Sequence, residues 1–334
     1  MKTFVIAEAG ANHNRDFEQA KALIDVAKDA GADACKFQLY TSTGLFAKQD
    51  RPINGITDIH SMFTKIETPR NWVRDLKSYC DEVGIEFMAT PFDEEAVQQL
   101  VDVGVSRIKI AGFESSDFRF VEMVASTGLP LIVSLGIGFP FERLDEFLDI
   151  CFKYNSDLTI LHCNNAYPTP MSEIDLNQID WLIKNARGAG VGLSDHTTST
   201  LTPSLAVAKG ASVIEKHFTL SNKLSGPDHF FALEPNQLKE MVSLIRQSEL
   251  SLIENGGMYT NSEMTFKNGK RSVVAKKKIK KGDLLTTNNI TTKRPCYDDS
   301  VPAIEYGTTL GKYALFDIDV DCIIKKSEVG GFEK

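Results

Sequence analysis

Residues 3–39, TFVIAEAGANHNRDFEQAKALIDVAKDAGADACKFQL, read as a strand, a helix and a second strand. Thr3–Ala7 is a short β-rich run. Ala20, Leu23, Ile24 and Ala27 then fall on one helical face, and Gly31 stands where a left-handed cap ends the helix before Ala34–Leu39 resumes the strand pattern. The same grammar recurs along the chain. Trp72, Val73, Leu76, Tyr79, Cys80 and Val83 form a stripe closed by Gly84, Asp93 is placed to cap a helix reaching Leu100 that Gly104 ends, and Gly128 and Gly210 stop later helices. Six further β-rich runs, Glu86–Ala89, Arg107–Ala111, Leu131–Ser134, Leu158–His162, Val191–Leu193 and Val213–His217, bring the strands to eight. A helix from Asn236 to Ile253 completes the last unit. Eight strand–helix units in about 250 residues predict an α/β fold of the TIM (β/α)8 barrel type. The chain holds no GxGxxG or GxxxxGK[ST], so open nucleotide-binding sheets rank lower.

A chain of 334 residues allows about two domains of roughly 150 each. Composition shifts after Glu254, which predicts a barrel over residues 1–255, a polar, glycine-bearing linker over 256–270 and a small β-rich domain over 271–334. The last holds the short runs Ser272–Ala275, Leu284–Leu285 and Thr291–Lys293, with Lys276, Lys277, Lys278, Lys280 and Lys281 as a solvated basic face. Hydrophobic residues at 42% and charged residues at 25% are ordinary globular usage and argue against disorder or fibrous structure. The net charge of -8 argues against nucleic acid as the main partner. Phe4–Ala7 is too short for a signal-peptide core, and Met123–Phe141, though free of charge, is broken by Gly128, Pro130, Gly136, Gly138 and Pro140, so no membrane span is expected. Six cysteines without CxxC spacing are expected to be reduced core thiols of a cytoplasmic protein.

A TIM barrel builds its active site from the C-terminal ends of its strands. Those ends carry Glu8, Asn12 and His13; Lys36 and Gln38; Thr90; Lys109 and Glu114; Ser134; His162, Asn164, Asn165 and Tyr167; Ser194, Asp195 and His196; Glu215, Lys216 and His217. A single polar residue at a strand end is usually a satisfied structural group. Such residues at all eight ends place several charges in a mostly desolvated space, which marks a functional site. His196 and His217 end neighbouring strands and could face one divalent metal, although two histidines alone are a weak signature. Glu8 and Glu114 could hold the metal's water or act as general bases. Lys36 and Lys109, with Thr90, Ser134 and Ser194, form a cradle for a small phosphate or carboxylate ligand; either lysine could instead be a Schiff-base nucleophile.

The runs IAEAGANHN at 6–14, KFQ at 36–38, ATPFD at 89–93, KIAGFES at 109–115, LHCNNAYPTP at 161–170, GLSDHT at 192–197, VIEKHFTL at 213–220 and SGPDH at 225–229 closely resemble the sialic acid synthase family. So do RSVVAKKKIKKGDLL at 271–285 and KRP at 293–295, and the likeness runs in order along nearly the whole chain. It implies a barrel followed by a small antifreeze-like (SAF) domain, paired as a domain-swapped homodimer. It also implies condensation of phosphoenolpyruvate with an open-chain N-acylmannosamine-type sugar to a nine-carbon 2-keto acid and phosphate. By the resemblance, Lys36, Thr90, Lys109, Ser134, Asn165, Tyr167 and Ser194 hold phosphoenolpyruvate. His196 and His217 hold Mn2+ or Mg2+. Glu8, Gln38, Glu114, Tyr167 and Asp228 line the sugar and catalytic region, and Arg294 reaches the partner's active site. Glu8 or Glu114 handles the proton.

Two departures bear on the substrate. Gly112 stands where many relatives have a serine that contacts phosphoenolpyruvate. Phe113 resembles the pseudaminic acid branch, whereas SGPDH together with LEP at 233–235 resembles the neuraminic and legionaminic branches, which the reading favours. Three rivals stand beside it: another phosphoenolpyruvate-dependent keto-deoxy sugar acid synthase, a Schiff-base aldolase, and a non-catalytic carbohydrate-binding scaffold.

Overall fold

A computed structural model describes residues 2–48, 51–52, 56–154, 157–254, 256–257 and 259–331. The chain divides into two compact units, Met1–Ile253 and Glu254–Lys334. Asn255, at the expected domain boundary, and Met258, inside the expected linker, lie outside the described residues.

The first unit holds eight parallel strands: β1 (Phe4–Gly10), β2 (Ala34–Leu39), β3 (Glu86–Pro91), β4 (Ile108–Ile110), β5 (Leu131–Leu135), β6 (Leu158–Cys163), β7 (Gly190–Asp195) and β8 (Val213–His217). Their order is β3-β2-β1-β8-β7-β6-β5-β4, and β4 returns beside β3 to close a TIM barrel. Period-2 alternation explains both faces of its wall. Ile6, Ala34, Met88, Ile132, Leu161 and Val213 turn inward and meet as an apolar plug. The residues that follow them, among them Ala7, Cys35, Ala89, Val133 and Ile214, turn outward onto helix residues such as Leu23, Ile24, Leu76, Val97 and Leu148. Each fully buried Leu or Ile of that layer contributes about 1.5–3 kcal/mol.

The helices obey the signals that announce them. In Phe17–Asp29, Ala20, Leu23, Ile24 and Ala27 are the buried face, and the Asp16 carboxylate accepts from the N–H groups of Glu18 and Gln19. Val73–Val83 ends at Gly84, whose φ of 76° is the left-handed conformation that glycine adopts without a Cβ penalty. Asp93 accepts from the Ala96 N–H at 2.8 Å to start Glu94–Asp102, and the last helix of the unit is Pro235–Ser251. Met123–Phe141 holds the end of the helix Phe118–Ala125 and then β5, and no described helix is long and apolar enough to cross a membrane.

In the second unit β9 (Ser272–Ala275) pairs antiparallel with β10 (Ile290–Lys293) over a small core that includes Val273, Ile279, Leu285, Val301 and Ile324. Leu284 makes only an isolated bridge, to Tyr313. The basic cluster is a mixed-charge surface, since Lys280 pairs with Asp317 at 2.8 Å and Lys278 with Asp319 at 3.2 Å. The segment expected to be a plain linker carries a helical turn, Asn261–Met264, because Thr260 and Glu263 form a capping box. One cysteine expectation fails. Cys35, Cys80, Cys151, Cys163 and Cys296 are buried and free, whereas Cys322 is exposed beside the turn at Asp321, in a unit whose core is too small to cover it.

Candidate active site

Two residues beyond the apolar plug, the same alternation turns Glu8, Lys36, Thr90, Ser134 and Glu215 into the barrel at the C-terminal ends of their strands. Lys109 joins them from β4, between the outward-facing Ile108 and Ile110, and Ser194 joins from β7; all seven are buried. Six of them form one network, while Ser134 Oγ is buried with no hydrogen-bond partner among the described residues. Lys36 Nζ lies 2.8 Å from Glu8 Oε2 and 3.6 Å from Glu215 Oε2, and donates to Thr90 Oγ1 at 3.0 Å. Lys109 Nζ lies 3.4 Å from Glu215 Oε1 and donates to the Ile110 carbonyl at 3.1 Å. Ser194 donates to Glu215 Oε1 at 3.0 Å, and Gln38 Nε2 to Glu8 Oε1 at 3.2 Å.

The charges are unequally shared. Burial pushes the Glu215 carboxyl up, but Lys109 and Lys36 together hold it down to about 2. Glu8 has Lys36 close by and Glu215 as a repelling neighbour, so burial prevails and pushes it up to about 7. Burial also pushes Glu114, in the loop after β4, up to about 7, with Lys109 opposing; its Oε2 is buried with no hydrogen-bond partner among the described residues. The sequence places the two lysines opposite an external anion, and the structure adds an internal one, Glu215, which the sequence reading left without a role. The signal was in the strand: in Glu215-Lys216-His217 the outer two residues share the inward face.

His196 and His217 lie with ring centroids 5.5 Å apart, and Tyr167 packs 4.1 Å from the His196 ring. His196 Nδ1 is 2.6 Å from the Asn164 carbonyl, which only accepts, so Nδ1 carries the proton and Nε2 is the acceptor. His217 Nδ1 is buried without a hydrogen-bond partner among the described residues. Burial holds His196 down to about 4 and His217 well below the ordinary range, so both rings are neutral, the form that ligates metals. Among the described residues no third His, Cys, Asp or Glu completes a ligand group. The two imidazoles therefore fit a divalent cation that takes its other ligands from water or substrate.

Asp228 reaches the same corner because Gly10, at φ 52°, has no side chain: a Cβ there would stand 2.9 Å from Asp228 Oδ2 and 3.2 Å from His217 Cε1. Asp228 Oδ2 accepts from the Ala11 N–H at 3.3 Å, and burial raises its carboxyl. Asn165 accepts from the Ile137 N–H at 2.8 Å, with its amide against Gly136 and Gly112. Arg294 is not in this unit; it is exposed, directly after β10.

Residues 23–256 match the NeuB family, and residues 270–329 match the SAF domain. The chain belongs to the NeuB family. It is a sialic or nonulosonic acid synthase of that family, a phosphoenolpyruvate-dependent condensing enzyme with a C-terminal SAF domain. Membership sets aside the Schiff-base aldolase and the non-catalytic scaffold. This NeuB-family chain is 36% identical to the N,N'-diacetyllegionaminic acid synthase of Campylobacter jejuni serotype O:2, over 97% of this chain and 99% of that one. It is also 36% identical to the pseudaminic acid synthase of C. jejuni serotype O:23/36, over 98% and 96%. The crystal structure of N-acetylneuraminic acid synthetase from Leptospira borgpetersenii, 32% identical, superposes with a TM-score of 0.73 over 79% of this chain and 90% of that one.

Proposed function

We propose that this NeuB-family enzyme joins phosphoenolpyruvate to the aldehyde of an open-chain N-acylmannosamine-type sugar and adds one water, releasing phosphate and a nine-carbon 2-keto acid of the N-acetylneuraminate or legionaminate type, in a cytoplasmic setting. The observation that carries this reading is the pair of buried lysines. Among the described residues Lys109 Nζ has one hydrogen bond, to the Ile110 carbonyl, and a looser contact with Glu215 at 3.4 Å, and a buried ammonium has three donors to satisfy. A phosphorylated carboxylic acid meets that demand, with Thr90, Ser134, Ser194, Asn165 and Tyr167 ordering it beside the lysines. Glu8, Gln38 and Asp228 face the sugar.

His196 and His217 would hold Mn2+ or Mg2+, which when bound would supply a Lewis acid to polarise the aldehyde. Burial pushes both carboxyls up to about 7, but Glu8 is engaged by Lys36 and Gln38, whereas Glu114 Oε2 has no hydrogen-bond partner among the described residues, which suits Glu114 to give or take the proton. Arg294 completes the sugar end of the partner's site in a domain-swapped homodimer, with residues 256–270 as the tether between domains 1–255 and 271–334.

SGPDH at 225–229 and LEP at 233–235 support the neuraminate or legionaminate product. A second reading, pseudaminate, is favoured by Phe113, which is 57% exposed in the loop after β4. Phosphate release separates them when phosphoenolpyruvate is offered with N-acylmannosamine, its 4-amino-6-deoxy analogue, or the pseudaminate-type sugar. Turnover is expected with one of the first two, abolished by EDTA and restored by Mn2+. Turnover with the third alone moves the assignment to pseudaminate, and undiminished turnover by fully demetallated enzyme rejects the metal.

A further inference from the structure

We propose that Asp195 and Lys216 are positioning residues that fix the approach of His196 to His217; the inference rests on reading those histidines as the metal pair. Asp195 and Lys216 face each other on the last paired rung of β7 and β8, and each immediately precedes one of the histidines. Ser194 and Glu215, one rung earlier, turn into the barrel and bond to each other there. By alternation Asp195 and Lys216 turn the other way, into the layer between strands and helices that holds Leu193 and Ile214. Their side chains are 0% and 1% exposed.

An ion pair is an odd choice for that layer, because removing two charges from water offsets most of their mutual attraction, and apolar residues of similar volume would fill the space at least as well. What the pair supplies is geometry. Lys216 Nζ lies 2.6 Å from Asp195 Oδ2 and donates to Thr197 Oγ1 at 3.2 Å and to the Thr197 carbonyl. Asp195 Oδ1 accepts from the Thr197 N–H at 2.9 Å. The residue before His217 thus grips both residues that flank His196. His196 cannot slide along β7 relative to His217 without breaking this clamp, and its bond to the Asn164 carbonyl fixes the ring's rotation. Outer groups that orient metal ligands typically carry roughly 10–100-fold of metal affinity.

The test measures Mn2+ affinity of metal-free protein by the electron paramagnetic resonance of the unbound ion, beside thermal melting and near-UV circular dichroism. The variants are Asp195→Asn, Lys216→Met, the double variant and His217→Ala. The double variant removes both charges, so it is expected to fold and to melt near the wild type, yet to bind Mn2+ at least 10-fold more weakly. A folded double variant with wild-type Mn2+ affinity overturns the inference. So does one that fails to fold, since the pair would then be holding the barrel together rather than aligning the histidines. His217→Ala keeps the two ideas apart. If it binds Mn2+ as the wild type does, the metal reading itself fails; if it does not bind while the double variant binds normally, only the clamp fails.

Discussion

Asn165 dictates what two other positions are allowed to be. A Cβ added at Gly136 would stand 1.9 Å from Asn165 Oδ1, and one at Gly112 would stand 3.1 Å from its Nδ2. The first contact is impossible and the second is tight, so a serine at position 112 would press on an amide that already fills the space. Gly136→Ala is expected to rotate Asn165 out of place, break its bond to the Ile137 N–H and raise the KM for phosphoenolpyruvate about 10-fold, the loss of one hydrogen bond to a charged ligand. Gly112→Ser is expected to act in the same direction more mildly. Steady-state kinetics at saturating sugar checks both, and an unchanged KM in Gly136→Ala removes Asn165 from the phosphoenolpyruvate site. The sequence shows Asn165 as a polar group after a strand. Its cradle was not legible, because Gly112 and Gly136 follow β4 and β5 and meet it only once those strands lie beside β6.

At the scale of elements, all eight strands were legible; β2 and β8 end where the sequence places them, and β1, β3 and β7 run two or three residues further for a single reason. β1 was expected to stop at Ala7 and runs to Gly10; β7 was expected to stop at Leu193 and runs to Asp195. The apolar signal ends where the catalytic layer begins, but the ladder is made by backbone groups that do not depend on side-chain polarity. β4 erred the other way, shrinking from Arg107–Ala111 to Ile108–Ile110. Helix starts were read from caps, and Asp93 tests how much one cap contributes. Its carboxylate holds the Ala96 N–H and also pairs with Arg70, whose other buried nitrogens have no partner among the described residues. Asp93→Ala is expected to lower unfolding stability by about 1 kcal/mol or somewhat more. A denaturant melt with an unchanged midpoint would show that neither the cap nor the Arg70 pair contributes.

At the scale of the whole molecule, a chain with two compact units carries its buried charges in the first and Arg294 in the second. No property of a single chain says whether that arginine serves its own barrel or another's, which is why the family resemblance carried this expectation alone. Mixed dimers of Arg294→Ala and His217→Ala chains decide it by counting. If Arg294 acts across the dimer, one of the two sites joins an intact barrel to an intact arginine, and about half the wild-type activity returns. If it acts within its own chain, every site carries one defect and none returns.

Lys36, which stands between Glu8 and Glu215, gives the site a proton ledger as well as a shape. An anion drawn to Lys36 and Lys109 adds negative charge beside Glu8, which burial has already pushed up to about 7, and raises its proton affinity further. Ligand arrival above about pH 7 therefore takes up hydrogen ions from the solution. The affinity for phosphoenolpyruvate is expected to fall as pH rises through that range. Its calorimetric binding heat should differ between Tris and PIPES by the uptake multiplied by the difference in the two buffers' ionisation heats, and equal heats in both would mean that Glu8 does not change protonation when the anion binds.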